Sequence, residues 1–89
     1  MSQDADNRPV ARDDIEIYEA DDGLLIYDLQ RDRAHHLNST AGIIFSMCTG
    51  QTTVDDMVGH LQEAFGLPQP PQDEVLTCLE DLRGEGLLT

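Results

Sequence analysis

The feature that most constrains this chain is a change of hydrophobic period near residue 38. Before it, apolar residues follow the two-residue repeat of a strand; after it, they recur at helical spacing. Ile15 and Ile17 alternate with Asp14, Glu16 and Tyr18, and Leu24 to Leu29 is a nearly continuous apolar run. Asp22-Gly23 between the two runs predicts a hairpin, because this dipeptide tolerates the positive φ angles of a type I′ turn. The polar turn Gln30-Arg31-Asp32-Arg33 then leads into a short third strand, Ala34 to Asn38. A three-stranded antiparallel meander is expected.

From Asn38 the pattern is helical. Asn38 or Ser39 is placed to cap a first helix carrying Ala41, Ile44, Phe45 and Cys48 on one side, with Ile43 and Met47 beside them. Gly50 is expected to close it as the residue just past the helix end. Thr53, with Asp56 three positions on, starts a second helix whose core stripe is Val54, Met57, Val58, Leu61 and Phe65. Gly66 stops that helix, and Leu67-Pro68-Gln69-Pro70-Pro71 makes a stiff connector whose last proline suits the first turn of a third helix. Asp73 and Glu74 lie at that helix's positive end. Val75, Leu79 and Leu82 line one face, Leu76 and Cys78 flank it, and Gly84 or Gly86 ends it before Leu87 and Leu88. The fold class is α+β and winged-helix-like: a three-stranded antiparallel sheet followed by three helices.

At 89 residues this is one domain, and such a chain buries only about 60% of its unfolded surface, with little room for a deep cavity. The segment 1–12 has only Met1, Ala5, Val10 and Ala11 as apolar residues. It is read as a disordered tail ahead of a domain spanning 13–89. No apolar stretch approaches the roughly 18 residues of a membrane span, and no signal-like segment precedes the domain, so a cytoplasmic protein is expected. Cys48 and Cys78 stand far apart in sequence and outside any C-x-x-C pattern, which suggests neither a disulfide framework nor a zinc site.

Winged helices often bind DNA, so charge decides. The chain has 18 acidic residues against five arginines and no lysine, a formal net charge of -13. The second and third helices carry Asp55, Asp56, Glu63, Asp73, Glu74, Glu80, Asp81 and Glu85 against Arg83 alone. Nucleic acid and anionic membrane both need clustered cations to displace counterions and are therefore excluded as expected partners. Solubility or a salt-rich habitat accounts for acids spread along the whole chain; steering of a basic peptide or protein is the other account.

Catalysis has no foothold in the sequence. There is no Ser/His/Asp arrangement, Gly-rich phosphate loop or H-E-x-x-H. His35 and His36 are adjacent on a strand, point to opposite faces and do not chelate one ion. His60 reads as a surface residue of the second helix. No catalytic residue, metal or cofactor is expected.

The run His36-Leu37-Asn38-x-Thr40-Ala41-x-x-Ile44-Phe45, then Gly50-x-Thr52-x-x-Asp55-x-x-Val58, then Leu79-x-x-Leu82-x-x-x-Gly86-Leu87-Leu88, is similar to the PqqD family. The resemblance covers about Ile15 to Thr89. Departures are modest: Phe45 stands where the family often has Trp, and Thr49 precedes Gly50 where an acid is common. The resemblance implies a non-catalytic recognition domain, a peptide chaperone for ribosomally made and later modified peptides. Its partners would be the leader of a precursor peptide and a modifying enzyme, such as a radical-SAM protein or a leader protease with its cyclase.

By the same resemblance the leader adds a strand to the third strand and packs against the third helix, a mode suited to an edge with unpaired backbone groups. Carried over by position, the strand partner is Arg33, Ala34, His35, His36 and Leu37, and the groove wall is drawn from Val75, Cys78, Leu79 and Leu82. Each also has a core reading, the weightier one for Leu37, Leu79 and Leu82. Other classes remain open: a winged-helix-derived protein-binding regulator without DNA binding, or a small inhibitory or adaptor subunit.

Overall fold

Alternation and turn chemistry produce the expected meander. In the computed structural model, which describes residues 8–89, β1 (Ile15–Ala20) pairs antiparallel with β2 (Gly23–Asp28), and β2 with β3 (Arg33–Asn38). Three helices follow: α1 (Ser39–Ser46), α2 (Val54–Phe65) and α3 (Gln72–Gly84). The α+β order of three strands and three helices is the one anticipated.

The first hairpin differs in detail. Ala20 pairs with Gly23, so the two-residue loop is Asp21-Asp22 rather than Asp22-Gly23. Neither aspartate has a positive φ, since Asp32 is the one non-glycine residue with φ above zero among the described residues. The turn is therefore not type I′. Gly23 instead opens β2 at φ +149°, where a Cβ would collide with the Leu37 carbonyl across the ladder. Glycine is needed here for close strand approach.

One sheet face is covered. Leu24, Ile26 and Asp28 of β2 face inward with His35 and Leu37 of β3, and α1 packs over β2 and β3. Gly42 of α1 permits that contact, because even a Cβ there would sit 3.1 Å from Leu24 Cγ. Ile26, Ile44, Met57, Val75 and Leu87 are fully buried and join the sheet to all three helices. Phe65, expected in the α2 stripe, is about half exposed; it is the last residue of the helix, where left-handed Gly66 turns the chain away.

Both predicted N-caps form. Asn38 Oδ1 accepts from the Ala41 N–H at 2.8 Å, and Thr53 Oγ1 from the Asp56 N–H at 3.1 Å. Pro71 occupies the N-cap position of α3, one residue before its first turn. Gly50, however, does not close α1. The helix ends at Ser46 with Met47 as C-cap, because the next residues leave it to pair elsewhere.

Their partners are in the segment expected to be a tail. Met1 to Asn7 lie outside the described residues, but Pro9 to Arg12 are ordered and thread between two other parts of the chain. The Ala11 N–H donates to Cys48 O at 2.8 Å, Gly50 N–H to Pro9 O at 3.0 Å, Arg12 N–H to Leu87 O at 2.9 Å and Thr89 N–H to Val10 O at 2.8 Å. A disordered segment running through residue 12 is thus corrected for Pro9 to Arg12. Composition undervalued them because long-range backbone hydrogen bonds and one side chain hold them, in addition to the burial of Pro9 and the packing of Ala11 on the core.

That side chain is Arg12. Asp28 is fully buried at the inner end of β2, and Arg12 grips it with Nη1 to Oδ2 at 2.8 Å and Nη2 to Oδ1 at 3.3 Å. Arg12 Nη1 also donates to the Gly86 carbonyl at 2.9 Å, and the Arg31 N–H donates to Asp28 Oδ1 at 3.3 Å. Hydrogen bonding from Arg12 holds the Asp28 carboxyl below its ordinary 3.8 against the opposing effect of burial.

Arg12→Ala leaves this buried charge with only the longer Arg31 Nε ion-pair contact at 3.9 Å, and removing the main member of a buried pair is more damaging than replacing both with apolar residues. In thermal melts at neutral pH, Arg12→Ala should fall well below the parent and below Arg12→Met/Asp28→Leu; a parent-like melt for Arg12→Ala would refute the assignment. Because the folded pKa of Asp28 is depressed, its stabilisation is fully present above the unfolded value near 3.8. It is lost as pH falls through the lower folded value. The parent should show this acid-dependent loss and the double variant should lack that part of it.

Candidate functional site

Strand order β1-β2-β3 leaves β3 as an edge. The Leu37 carbonyl faces Gly23 on β2. Since backbone groups on an antiparallel strand alternate in direction, those of His35 also face β2, and the N–H and C=O of Ala34 and His36 point away from the sheet. Side chains alternate the other way: His35 and Leu37 are buried, while Ala34 and His36 lie on the exposed face. The edge therefore offers two residues' worth of unpaired backbone beside exposed side chains.

Next to it runs an open groove of about 910 Å³. Its strand side is His36, Leu37 and Asn38, its end is Thr40 and Ala41 of α1, and its far wall is α3 with Glu74, Thr77, Cys78, Asp81, Leu82 and Glu85, together with Asp73, Glu80 and Gly84. Ala41 and Cys78, over the nearly buried Leu82, form an apolar floor. The α3 wall follows helical geometry. At about 100° per residue, Val75, Leu79 and Leu82 point to the core, while Glu74, Cys78, Asp81 and Glu85 form a second stripe about 90° around the helix.

The expected site residues thus separate. His36, Leu37, Cys78 and Leu82 come together in the groove. Val75 and Leu79 are 0% and 4% exposed and pack in the core, so the groove-wall reading gives way to the core reading for both; they carry the stripe that faces the sheet and the other helices. Arg33, Ala34 and His35 border the edge without lining the groove. Thr40, Ala41 and Thr77 went unnoticed as groove residues, and Glu74, Asp81 and Glu85 were weighed only for their charge. Their spacing at i, i+7 and i+11 beside Cys78 was the available signal.

The two histidines diverge. His35 Nδ1 is 2.7 Å from Glu85 Oε1 and ties β3 to the end of α3, while its Nε2 is buried without a hydrogen-bond partner. His36 Nε2 is 2.9 Å from Asp22 Oδ1 at the other end of the sheet, and this bond lowers the pKa of Asp22. On the exposed sheet face, Tyr18 and Tyr27 meet edge to face with centroids 5.6 Å apart. The Tyr18 hydroxyl donates to Glu16 at 2.8 Å, which raises its pKa.

Residues 23–88 match the family model described as Coenzyme PQQ synthesis protein D (PqqD). The chain is also similar in structure to a solved chain described as "TbiB1 in Complex with the TbiA(beta) Leader Peptide". The TM-score is 0.77 and the identity 18%, over 89% of this chain and 93% of that one. At that identity the likeness establishes the fold. No curated protein matches the chain. Among the described residues no helix is long and apolar enough to cross a membrane.

The thiols give a local test of the groove. Burial pushes the Cys48 thiol up to about 12, and burial also raises Cys78, which is only half-buried at the groove floor. Both are poor nucleophiles at neutral pH. Alkylation at pH 8 followed by mass spectrometry should label Cys78 first and slowly, with Cys48 labelled only on unfolding. Equal rates in the native protein would show that the groove floor is not open as described.

Proposed function

The chain belongs to the PqqD family, and from that premise we propose that it is a non-catalytic peptide chaperone that binds the leader of a precursor peptide and presents it to a modifying enzyme. The leader lies along β3 as a fourth strand. Its backbone bonds to the outward groups of Ala34 and His36, and one apolar side chain enters the floor at Ala41, Cys78 and Leu82. The observation that carries this reading is the coincidence of an uncapped strand edge with an open groove along the same edge. Strand addition draws affinity from the main chain and specificity from alternate side-chain pockets.

The fold supports the reading independently, since the structural neighbour's description includes a leader peptide. The enzyme that receives the leader is a radical-SAM protein or a leader protease with its cyclase. The ordered unit that performs the binding runs from about Pro9 to Thr89, with Pro9 to Arg12 as its strap. DNA binding is disfavoured, because the groove-lining helix presents carboxylates to any phosphate backbone.

Truncating a packed leucine confounds binding with folding, as core cavities cost about 2–5 kcal/mol. Two other changes separate them. Ala34→Pro removes an outward donor while sparing the β2 ladder, a position where edge strands tolerate proline, and Cys78→Trp fills the groove floor. A synthetic precursor leader peptide, titrated into labelled protein, should shift amide signals of β3 and α3. Both variants, once shown to melt cooperatively, should bind at least tenfold more weakly. Shifts clustered on α2, or parent-like binding by both variants, would rule out strand addition at β3.

A further inference from the structure

We infer that the groove selects a leader segment bearing Lys or Arg at alternate positions, read by Glu74, Asp81 and Glu85 of α3. This deepens the proposed function and rests on it. The groove is lined by five carboxylates, those of Asp73, Glu74, Glu80, Asp81 and Glu85, and by no lysine or arginine. Among the described residues no ion pair engages Asp73, Glu74, Glu80 or Asp81; Glu85 is bonded to His35. Arg83, the one cation of α3, lies on a different face, beside Val54 and Leu76. An acidic strand placed here meets repulsion, and a basic one meets four carboxylates that no ion pair among the described residues engages, with Glu85 shared with His35.

Spacing makes the preference more specific than bulk charge. Asp81 and Glu85 are four residues apart on a helix, about 6 Å along its axis. A strand presents same-face side chains every second residue, about 6.6 Å apart. Two cations at positions i and i+2 of an added strand therefore match two successive turns of α3. Glu74 is a further seven residues back, about 10 Å from Asp81, in reach of a third long basic side chain. Between Glu74 and Asp81 the wall is Thr77 and Cys78, and there the apolar side chain of the leader enters. Lys and Arg suit this geometry because their stems lie along the apolar floor while their charged ends reach the carboxylates.

The test uses the full chain with the same synthetic leader peptide, fluorescently labelled, in salt from about 50 to 500 mM, where screening shortens from beyond a groove width to within it. Glu74→Gln and Asp81→Asn should each weaken binding about two- to fivefold at low salt, the range for exposed ion pairs. Their double variant should weaken it more, and the differences should shrink at high salt. Glu63→Gln on α2 removes the same formal charge outside the groove and should bind as the parent does. Replacing the leader's Lys and Arg residues with Gln should weaken binding to the parent at least as much, and should cause a smaller loss in the double variant, where only Glu85 of the three remains.

Equal weakening by Glu63→Gln would mean bulk charge alone and would overturn the inference. A leader that binds along β3 yet carries no cation in the bound stretch, or binding indifferent to Glu74→Gln and Asp81→Asn, would overturn it while leaving the peptide-binding reading intact. Absence of β3 shifts with any leader would remove both.

Discussion

An aspartate sealed inside a domain this small has to be neutralised where it sits, and much of the architecture follows from how that is done. Asp28 occupies an inward position two residues after Ile26, where alternation calls for an apolar side chain. Its counter-ion comes from outside the sheet. Arg12 reaches it from the Pro9–Arg12 segment and, by donating to Gly86 as well, ties that segment and the turn after α3 to the end of β2. Held by that contact, Pro9 to Arg12 complete a small ladder with Cys48 to Gly50 on one side and Leu87 to Thr89 on the other. That ladder draws Cys48 to Gly50 out of α1, so the helix ends at Ser46 instead of continuing to Gly50. The buried charge, the end of the first helix and the docking of the C-terminal leucines thus meet in one ladder.

The exposed edge is a product of the same packing. Asn38 ends β3 and caps α1, so the chain leaves the sheet with no residue between strand and helix. With α1 laid over β2 and β3 and with α3 packed on α1 and α2, no element among the described residues covers the outer side of β3. The core-facing stripe of α3 is used up against the interior. Its neighbouring stripe then stands beyond the sheet edge, and the groove is the space between.

Much of this was legible from residue pattern. The two periods located every strand and helix, and Asn38 and Thr53 were read correctly as caps because a side-chain oxygen at that point satisfies a backbone donor that nothing else reaches. The hairpin loop shifted by one residue because pairing register, set by the inward positions of Leu24 and Ile26, outweighed the turn preference of Asp22-Gly23. The strap was missed because long-range backbone hydrogen bonds and one long-range ion pair hold it, and neither has a local signature; Asp28 at an inward position was the clue that a cation had to arrive from elsewhere. In the groove, apolar residues of α3 were grouped by helical face, yet Val75 and Cys78 are separated by a rotation of about 60°. Only the placement of β3 shows which of them meets the core.

That division of α3 explains why the acidic stripe, and not the apolar one, is suited to discriminate between peptides. A domain of this size depends on each buried leucine and valine for stability, so Val75, Leu79 and Leu82 have little freedom to vary with the ligand. Backbone bonding to Ala34 and His36 is available to any extended chain and carries little sequence information. What remains free to vary without unfolding the domain is the exposed stripe of Glu74, Asp81 and Glu85. Charge on such a surface contributes modestly to affinity but strongly to the choice of partner and to encounter rate, and a wrong partner is rejected by repulsion as much as the right one is attracted. Sequence choice is thereby placed on residues whose alteration leaves the fold intact, beside an edge whose affinity is generic.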